Sequence, residues 1–148
     1  MQKDLSRFLA AQEPQYAQVL DELKRGRKVH HWMWYIFPQL SGLGHSETSR
    51  FYGISTLDEA KAYLRHPVLG VHLRECTDLV LSVPGRSLVD IFGSVDALKF
   101  RSSMTLFTLA TTDNALFRTA LDKYCGGHPD PLTIELLSAP GRPSPQAL

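Results

Sequence analysis

Residues 91–107 place a carboxylate, an amine and hydroxyl groups among phenylalanines, a combination suited to anion binding or acid–base chemistry. On a helix, Asp96, Lys99 and Ser103 share one face at i, i+3 and i+7 spacing. Because phenylalanines on the same face favour burial, Lys99 is expected either to pair with Asp96 or to bind an anion. A serine close to a lysine is also typical of a Ser–Lys nucleophile, although helical spacing often produces such pairs by chance.

A second candidate is the aromatic stretch of residues 30–37, "HHWMWYIF". Each indole carries an N–H donor that needs a partner when it is buried, and His31 brings two ring nitrogens. The stretch therefore either fills the core or lines a ligand pocket with His31, Trp32, Trp34 or Tyr35. With no histidine spacing typical of a metal site, we expect neither a metal nor a cofactor.

The segment after the aromatic stretch, residues 38–53, is rich in glycine and hydroxyl side chains. Its backbone amides, with Gln39, Gly42, Gly44 and Ser46, resemble the composition of a site for an oxygen-rich ligand. The segment lacks the full phosphate-loop and dinucleotide patterns, and no strand precedes it. The alternative is an ordinary long connection.

Taken together, these groups predict a cytoplasmic module that binds a small anionic or nucleotide-like ligand. Indole or phenol rings would stack on a planar group, and Arg27 and Lys99 would meet a phosphate or carboxylate. The predicted ligand-binding residues are Arg27, His31, Trp32, Trp34, Tyr35, Gln39, Gly42, Gly44, Ser46, Lys99 and Ser103.

Two alternatives of other classes stay open. The chain could be an enzyme acting on an N-glycosidic bond, such as that of ADP-ribose, or on an acyl bond. His31 or Asp96 would then be the general base, and Lys99 would stabilise developing negative charge. Alternatively, the basic segment from Lys24 to Lys28 could be the contact surface of a protein-interaction adaptor, although a solvated helix end has the same composition.

The elements that must position these groups are predicted to be helices. Helix starts are indicated by Asp4, Pro14, Thr56 with Glu59, Pro67, Ser87 with Asp90, Ser94 or Asp96, Asp113, and Asp130 with Pro131. Gly26, Gly93 and Gly126 indicate ends. The long helix from residue 94 to about residue 110 is expected to bury Leu98, Leu106, Phe107 and Ala110. We therefore predict an all-α, single compact domain of about eight helices, with at most a minor two-stranded fragment.

Composition limits the class of protein further. Residues 1–137 form the predicted domain, and the proline- and serine-rich segment 138–148 is expected to be a disordered tail. The net charge of +1 argues against a nucleic-acid partner. No apolar run is long enough to span a membrane, and two isolated cysteines favour a reducing, cytoplasmic location. A small anionic molecule is the partner we expect, and we expect a monomer.

Three motifs carry a resemblance: "GRKVHHWMWYIFPQLSGLGHS", "YGISTLDEAKAYLRHPVLGVHL" and "IFGSVDALKFRSSMTLF". Together they resemble the bacterial and fungal family known only as domain of unknown function 1810, which is sometimes mislabelled calpastatin. The resemblance runs from about residue 5 to residue 137. It implies an all-helical single domain but no established activity, so it assigns no catalytic residue. A fainter similarity to helical ADP-ribose-processing glycosidases in size and residue content is the source of the enzyme alternative.

Overall fold

The computed structural model describes residues 4–138, and the predicted disordered tail lies outside these residues except for Ser138. Within them the chain forms a single compact domain of ten helices, which confirms the all-α prediction. The helices are α1 (Ser6–Gln12), α2 (Tyr16–Lys24), α3 (Met33–Ile36), α4 (Glu47–Tyr52), α5 (Leu57–Arg65), α6 (Leu69–Leu81), α7 (Leu88–Phe92), α8 (Ser94–Ala110), α9 (Ala115–Cys125) and α10 (Pro131–Leu137). None of the helices in this described part is long and apolar enough to cross a membrane.

Most helix starts lie where the sequence places them. Ser87 and Asp90 form a complete capping box at α7, and the Asp130 side chain accepts a hydrogen bond from the Thr133 backbone at the start of α10. Thr56 caps α5, but only half of that box forms, because the Glu59 carboxylate accepts from the Ser55 backbone instead. Glu59 also pairs with buried Arg7 at 3.0 Å, which ties α1 to α5.

The prediction for the start of α9 is wrong in its detail. The N-cap is Asn114, which makes no side-chain cap hydrogen bond, whereas Asp113 lies one residue earlier. The Asn114 amide instead donates to the Thr108 carbonyl near the end of α8. This contact holds the α8–α9 turn closed, so the turn is stabilised from the preceding helix.

Helix α8 is the central element, since α5, α7, α9 and α10 all pack against it. It buries Phe100, Leu106, Phe107 and Ala110, but the prediction that Leu98 points inward is wrong: Leu98 is 66% exposed. Because other helices cover α8 on several sides, its buried residues do not form one apolar stripe. Small polar residues of α8 are therefore buried as well. Thr105, for example, donates its hydroxyl to the Arg101 carbonyl one turn earlier.

The expected two-stranded fragment is a single parallel bridge between Leu40 and Ile54, the only one among the described residues. The Ser41 amide donates to the Ile54 carbonyl at 2.8 Å, and the Ile54 amide donates to the Gln39 carbonyl at 3.0 Å. These bonds close residues 40–54 into a loop that contains α4. Residues 38–53 are therefore partly helical, and not a continuous irregular segment.

Candidate functional site

The candidate site is built around one carboxylate that two ammonium groups share. Asp96, in the first turn of α8, lies 2.8 Å from the Lys28 Nζ and 3.5 Å from the Lys99 Nζ. The Lys28 side chain is 7% exposed and that of Lys99 is 20% exposed. Lys28 is therefore the closer and more deeply buried partner, and one positive charge remains in excess at this point.

Each of the two ammonium groups also lies over an indole ring. The Lys28 Nζ is 5.3 Å from the centre of the Trp32 ring, and the Lys99 Nζ is 4.8 Å from that of Trp34. A cation over an indole face gains about 0.5–2 kcal/mol, with the larger values in desolvated sites. The indoles therefore offset part of the hydration that the two lysines lose, so the aromatic stretch supports one ammonium group on α8 and one in the segment between α2 and α3.

Glu22 on α2 holds the segment that carries Lys28 and Trp32. Its carboxylate accepts hydrogen bonds from the Val29 amide at 2.7 Å, the His30 amide at 3.0 Å and the Trp32 Nε1 at 2.9 Å. The His30 Nδ1 lies 2.6 Å from the second carboxylate oxygen. On the other side, the Lys28 amide donates to the Ile91 carbonyl at 2.7 Å, which sets this residue beside the start of α8.

These donors determine the ionisation of Glu22. Burial by itself raises the pKa of this carboxyl group, but the hydrogen bonds from Val29, His30 and Trp32 outweigh it and lower the pKa from 4.5 to about 2. Glu22 is therefore ionised at neutral pH although its side chain is almost fully buried. It acts as a fixed negative anchor for residues 29–32.

A cleft of about 360 Å³ opens beside Lys99. One wall comes from the 39–44 loop, with Gln39 and Gly44, and the other walls come from α8 and the start of α10. Arg101 also lines it, but the Nε and Nη2 of this residue donate to the His128 and Pro129 carbonyls at 3.0 Å each. Between these two cations, Lys99 is held less tightly, because its carboxylate partner Asp96 lies 3.5 Å away and its other partner is the Trp34 ring.

Asp130 is the one acidic residue among residues 4–138 that lines the cleft, and it has structural partners. One carboxylate oxygen accepts from the Ser102 hydroxyl at 3.0 Å and from the Thr133 hydroxyl at 2.6 Å, and also from the Thr133 amide. These bonds cap α10 and join it to α8. With Lys99 and Arg101 facing the single carboxylate of Asp130, the described lining of the cleft carries a net positive charge.

The cleft is also apolar. Val95, Leu98 and Leu132 line it, and their exposed fractions are 66%, 66% and 57%. Leu43 contributes a further aliphatic side chain from the loop. Large aliphatic side chains that converge on one concave surface are typical of a binding site.

The chain matches the family described as "Protein of unknown function (DUF1810)" over residues 2–137. It belongs to this family. The match confirms the family indicated by the three sequence motifs, and it covers all but the ends of the chain. The family description names no activity.

A solved structure supports the same assignment. The chain is similar to the conserved hypothetical protein Rv1873 from Mycobacterium tuberculosis, known from a crystal structure at 1.38 Å. The two share 54% sequence identity with a TM-score of 0.90, over 92% of this chain and 97% of that one. No curated protein matches the chain.

The structure separates the predicted ligand-binding residues into several places. Gln39, Gly44 and Lys99 line the cleft, and Trp34 packs beneath Lys99. Gly42 is in the same loop, at a positive φ of 98°. Ser46 is the N-cap of α4, where its hydroxyl accepts from the Ser49 amide at 3.1 Å.

Trp32 and Tyr35 lie elsewhere. Trp32 is fully buried, with its Nε1 bonded to Glu22, so a ligand does not reach it in this conformation. The Tyr35 hydroxyl donates to the Gln15 side chain, and the Tyr35 ring packs against Tyr52, away from the residues that line the cleft. For these two aromatic residues, the structure supports the core-filling alternative.

His31 does not join Asp96 and Lys99. It is exposed, and within residues 4–138 it forms no hydrogen bond or ion pair. No contact therefore holds His31 against Asp96 or Lys99, whereas Asp96, the other candidate general base, lies 3.5 Å from the Lys99 Nζ. The described residues also contain no group of three or more histidine, cysteine or acidic side chains that could hold a metal ion.

The basic segment is likewise not one surface. Lys28 points inward to Asp96, whereas Arg25, which pairs with Asp21 at 3.1 Å, and Arg27 line a different groove. Lys28 is the site residue that sequence reasoning missed, because a lysine within a run of basic residues is most often solvated. Its proximity to the aromatic stretch was the available signal.

Two buried polar atoms near Lys99 have no hydrogen-bond partner in the described part of the chain. They are the Trp34 Nε1 and the Ser103 hydroxyl, the latter one turn beyond Lys99 on α8. A buried polar group without a partner costs about 1–3 kcal/mol. Both atoms therefore keep hydrogen-bonding capacity beside the candidate site.

Proposed function

We propose that this protein binds a small anion with an apolar body in the cleft, with Lys99 as the charge partner. The observation that carries the proposal is the sharing of Asp96 by two ammonium groups. Lys28, at the shorter distance, already neutralises the carboxylate. Lys99 can therefore turn to an anion without leaving Asp96 unpaired.

The apolar body follows from the aliphatic side chains that line the cleft beside Lys99. Val95, Leu98 and Leu132 keep most of their side-chain surface in water. Covering apolar surface gains about 25 cal/mol per Å², so a ligand with an aliphatic or aromatic body gains free energy here that a purely polar anion does not. A ligand with a carboxylate to meet Lys99 and an apolar body to cover these aliphatic side chains fits the lining of the cleft.

A nucleotide-like ligand is less well supported than an amphiphilic carboxylate. Stacking of a base requires an accessible aromatic face, but Trp32 is buried and the Trp34 ring carries the Lys99 ammonium. Stacking would require Lys99 to leave the ring that it covers. We therefore favour octanoate as a first probe, since it combines one carboxylate with a flexible apolar chain.

Lys99→Met is expected to abolish octanoate binding and to leave the fold intact. Methionine keeps the length of the side chain but removes the charge, while Lys28 still neutralises Asp96. Isothermal titration calorimetry of the wild type should give a saturable isotherm for octanoate and a much weaker one for acetate or octanol. Acetate lacks the apolar chain, and octanol lacks the charge.

Lys24→Met is the matched control, since it removes an exposed lysine that does not line the cleft. It should bind octanoate as the wild type does. The proposal is overturned if octanoate shows no saturable binding, or if Lys99→Met and Lys24→Met bind it equally well.

Leu98→Ser tests the apolar wall separately from the charge. Because Leu98 is exposed, its loss should cost less than about 1 kcal/mol of unfolding free energy. Octanoate affinity should fall about tenfold, since part of the apolar contact is lost. The same titration should show little change for acetate, and an equal loss for both ligands would contradict an apolar subsite.

A further inference from the structure

We infer that a second groove, on the other side of the Lys28 segment, binds the phosphoryl group of a small phosphomonoester. The groove has a volume of about 400 Å³ and lies between α2, the loop of residues 26–30 and the loop before α7. Gln18, Glu22, Arg27, His30 and Arg86 are among its lining residues. This site is independent of the cleft beside Lys99 and does not rest on the function proposed for it.

The charges of the groove favour a dianion. In the described part of the chain, three guanidinium groups line it against two carboxylates. Asp21 is paired with Arg25, and Glu22 accepts hydrogen bonds from the backbone and side chains of residues 29–32. Within residues 4–138, Arg27 and Arg86 have neither an ion pair nor a side-chain hydrogen bond. Two guanidinium groups are thus available to an incoming ligand.

Gly26 explains how the two arginines meet. It ends α2 with a positive φ of 74°, and a Cβ placed there would lie 2.8 Å from the Val83 Cγ1 and 3.3 Å from the Arg86 Cδ. The missing side chain lets the loop before α7 pack against the end of α2. The stem of Arg86 therefore lies beside the residue that precedes Arg27, and like charges from two loops share one groove.

Phosphate matches this arrangement better than a carboxylate does. A guanidinium group can donate two parallel hydrogen bonds to a phosphoryl group, and a phosphomonoester carries close to two negative charges at neutral pH. A bare phosphate would occupy only part of the groove. The polar lining, with Gln18 and His30, suits a hydroxylated organic group.

Glycerol 3-phosphate is a suitable probe, because its polar body distinguishes this groove from the apolar cleft. Calorimetric titration of the wild-type protein should give saturable binding with one site. Arg27→Gln and Arg86→Gln should each weaken it about tenfold or more, since each removes a charge-assisted contact. Arg27→Lys should also weaken it, because an ammonium group keeps the charge but loses the paired donors.

Arg65→Gln is the matched control, as Arg65 is exposed and lines no part of the groove. This variant and Lys99→Met should bind glycerol 3-phosphate as the wild type does, so the outcome is distinct from that for the cleft. Tighter binding of glycerol 3-phosphate than of inorganic phosphate assigns the groove to an ester, and equal binding assigns it to the phosphoryl group alone. The inference is overturned if glycerol 3-phosphate does not saturate, or if Arg27→Gln and Arg86→Gln, with unchanged circular dichroism, bind it normally.

Discussion

Lys28→Met is expected to lower the free energy of unfolding by about 2–3 kcal/mol. The Lys28 ammonium is nearly buried, lies 2.8 Å from Asp96 and covers the Trp32 ring. Its removal leaves Asp96 with Lys99 alone, at the longer distance of 3.5 Å. The remaining contact compensates only in part, so the loss is smaller than for a fully buried carboxylate left with no partner.

Lys99→Met provides the comparison, and it should cost less than about 1 kcal/mol, because the closer ion pair of Asp96 persists. Urea unfolding followed by tryptophan fluorescence measures both values. Equal losses for the two variants would contradict the unequal roles assigned to Lys28 and Lys99. In that case neither lysine would be more available to a ligand than the other.

Glu22→Gln is expected to lower the free energy of unfolding by about 3 kcal/mol at neutral pH, the value that corresponds to a pKa lowered from 4.5 to about 2. A pKa lower in the folded state than in the unfolded state stabilises the fold above the unfolded value. This stabilisation is complete above about pH 4.5 and is lost as the pH falls towards 2. The variant should therefore show a smaller loss of stability in this interval than the wild type.

Asp21→Asn is the matched control for Glu22→Gln. Asp21 is adjacent in the chain, but both it and its partner Arg25 are largely exposed, so this substitution should change stability by less than about 0.5 kcal/mol. Urea unfolding at several pH values distinguishes the two variants. An acid profile of Glu22→Gln identical to that of the wild type would show that Glu22 does not anchor residues 29–32.

The helices could be predicted from sequence where a local signal places them. Ser87 with Asp90, and Asp130 with Pro131, are capping patterns that act within one turn, and both are present in the structure. Helix α4 was not predicted, because its glycine- and serine-rich surroundings are typical of a loop. The outward position of Leu98 could not be predicted either, since it depends on which helices cover α8.

The candidate site was predictable only in part, for the same reason. Spacing on one helix suggested the pairing of Asp96 with Lys99, which the structure confirms at 3.5 Å. The closer partner, Lys28, is separated from Asp96 in the chain by all of helices α3 to α7. No local pattern reports such a contact. The division of Arg27 and Lys99 between two concave surfaces likewise depends on the tertiary structure.

The sharing of Asp96 has a consequence for the rate at which a ligand enters the cleft. Because Lys28 keeps the carboxylate neutralised, a rotamer change of Lys99 is enough to turn its ammonium group to an anion in the proposed site. Rotamer changes of exposed side chains occur within picoseconds to nanoseconds, and those of a side chain as covered as Lys99 are slower but still expected to be faster than the microsecond to millisecond opening of a lid. Association at the proposed site is then expected to be limited by diffusional encounter and orientation. Differences in affinity between related anions should arise mainly from their dissociation rates.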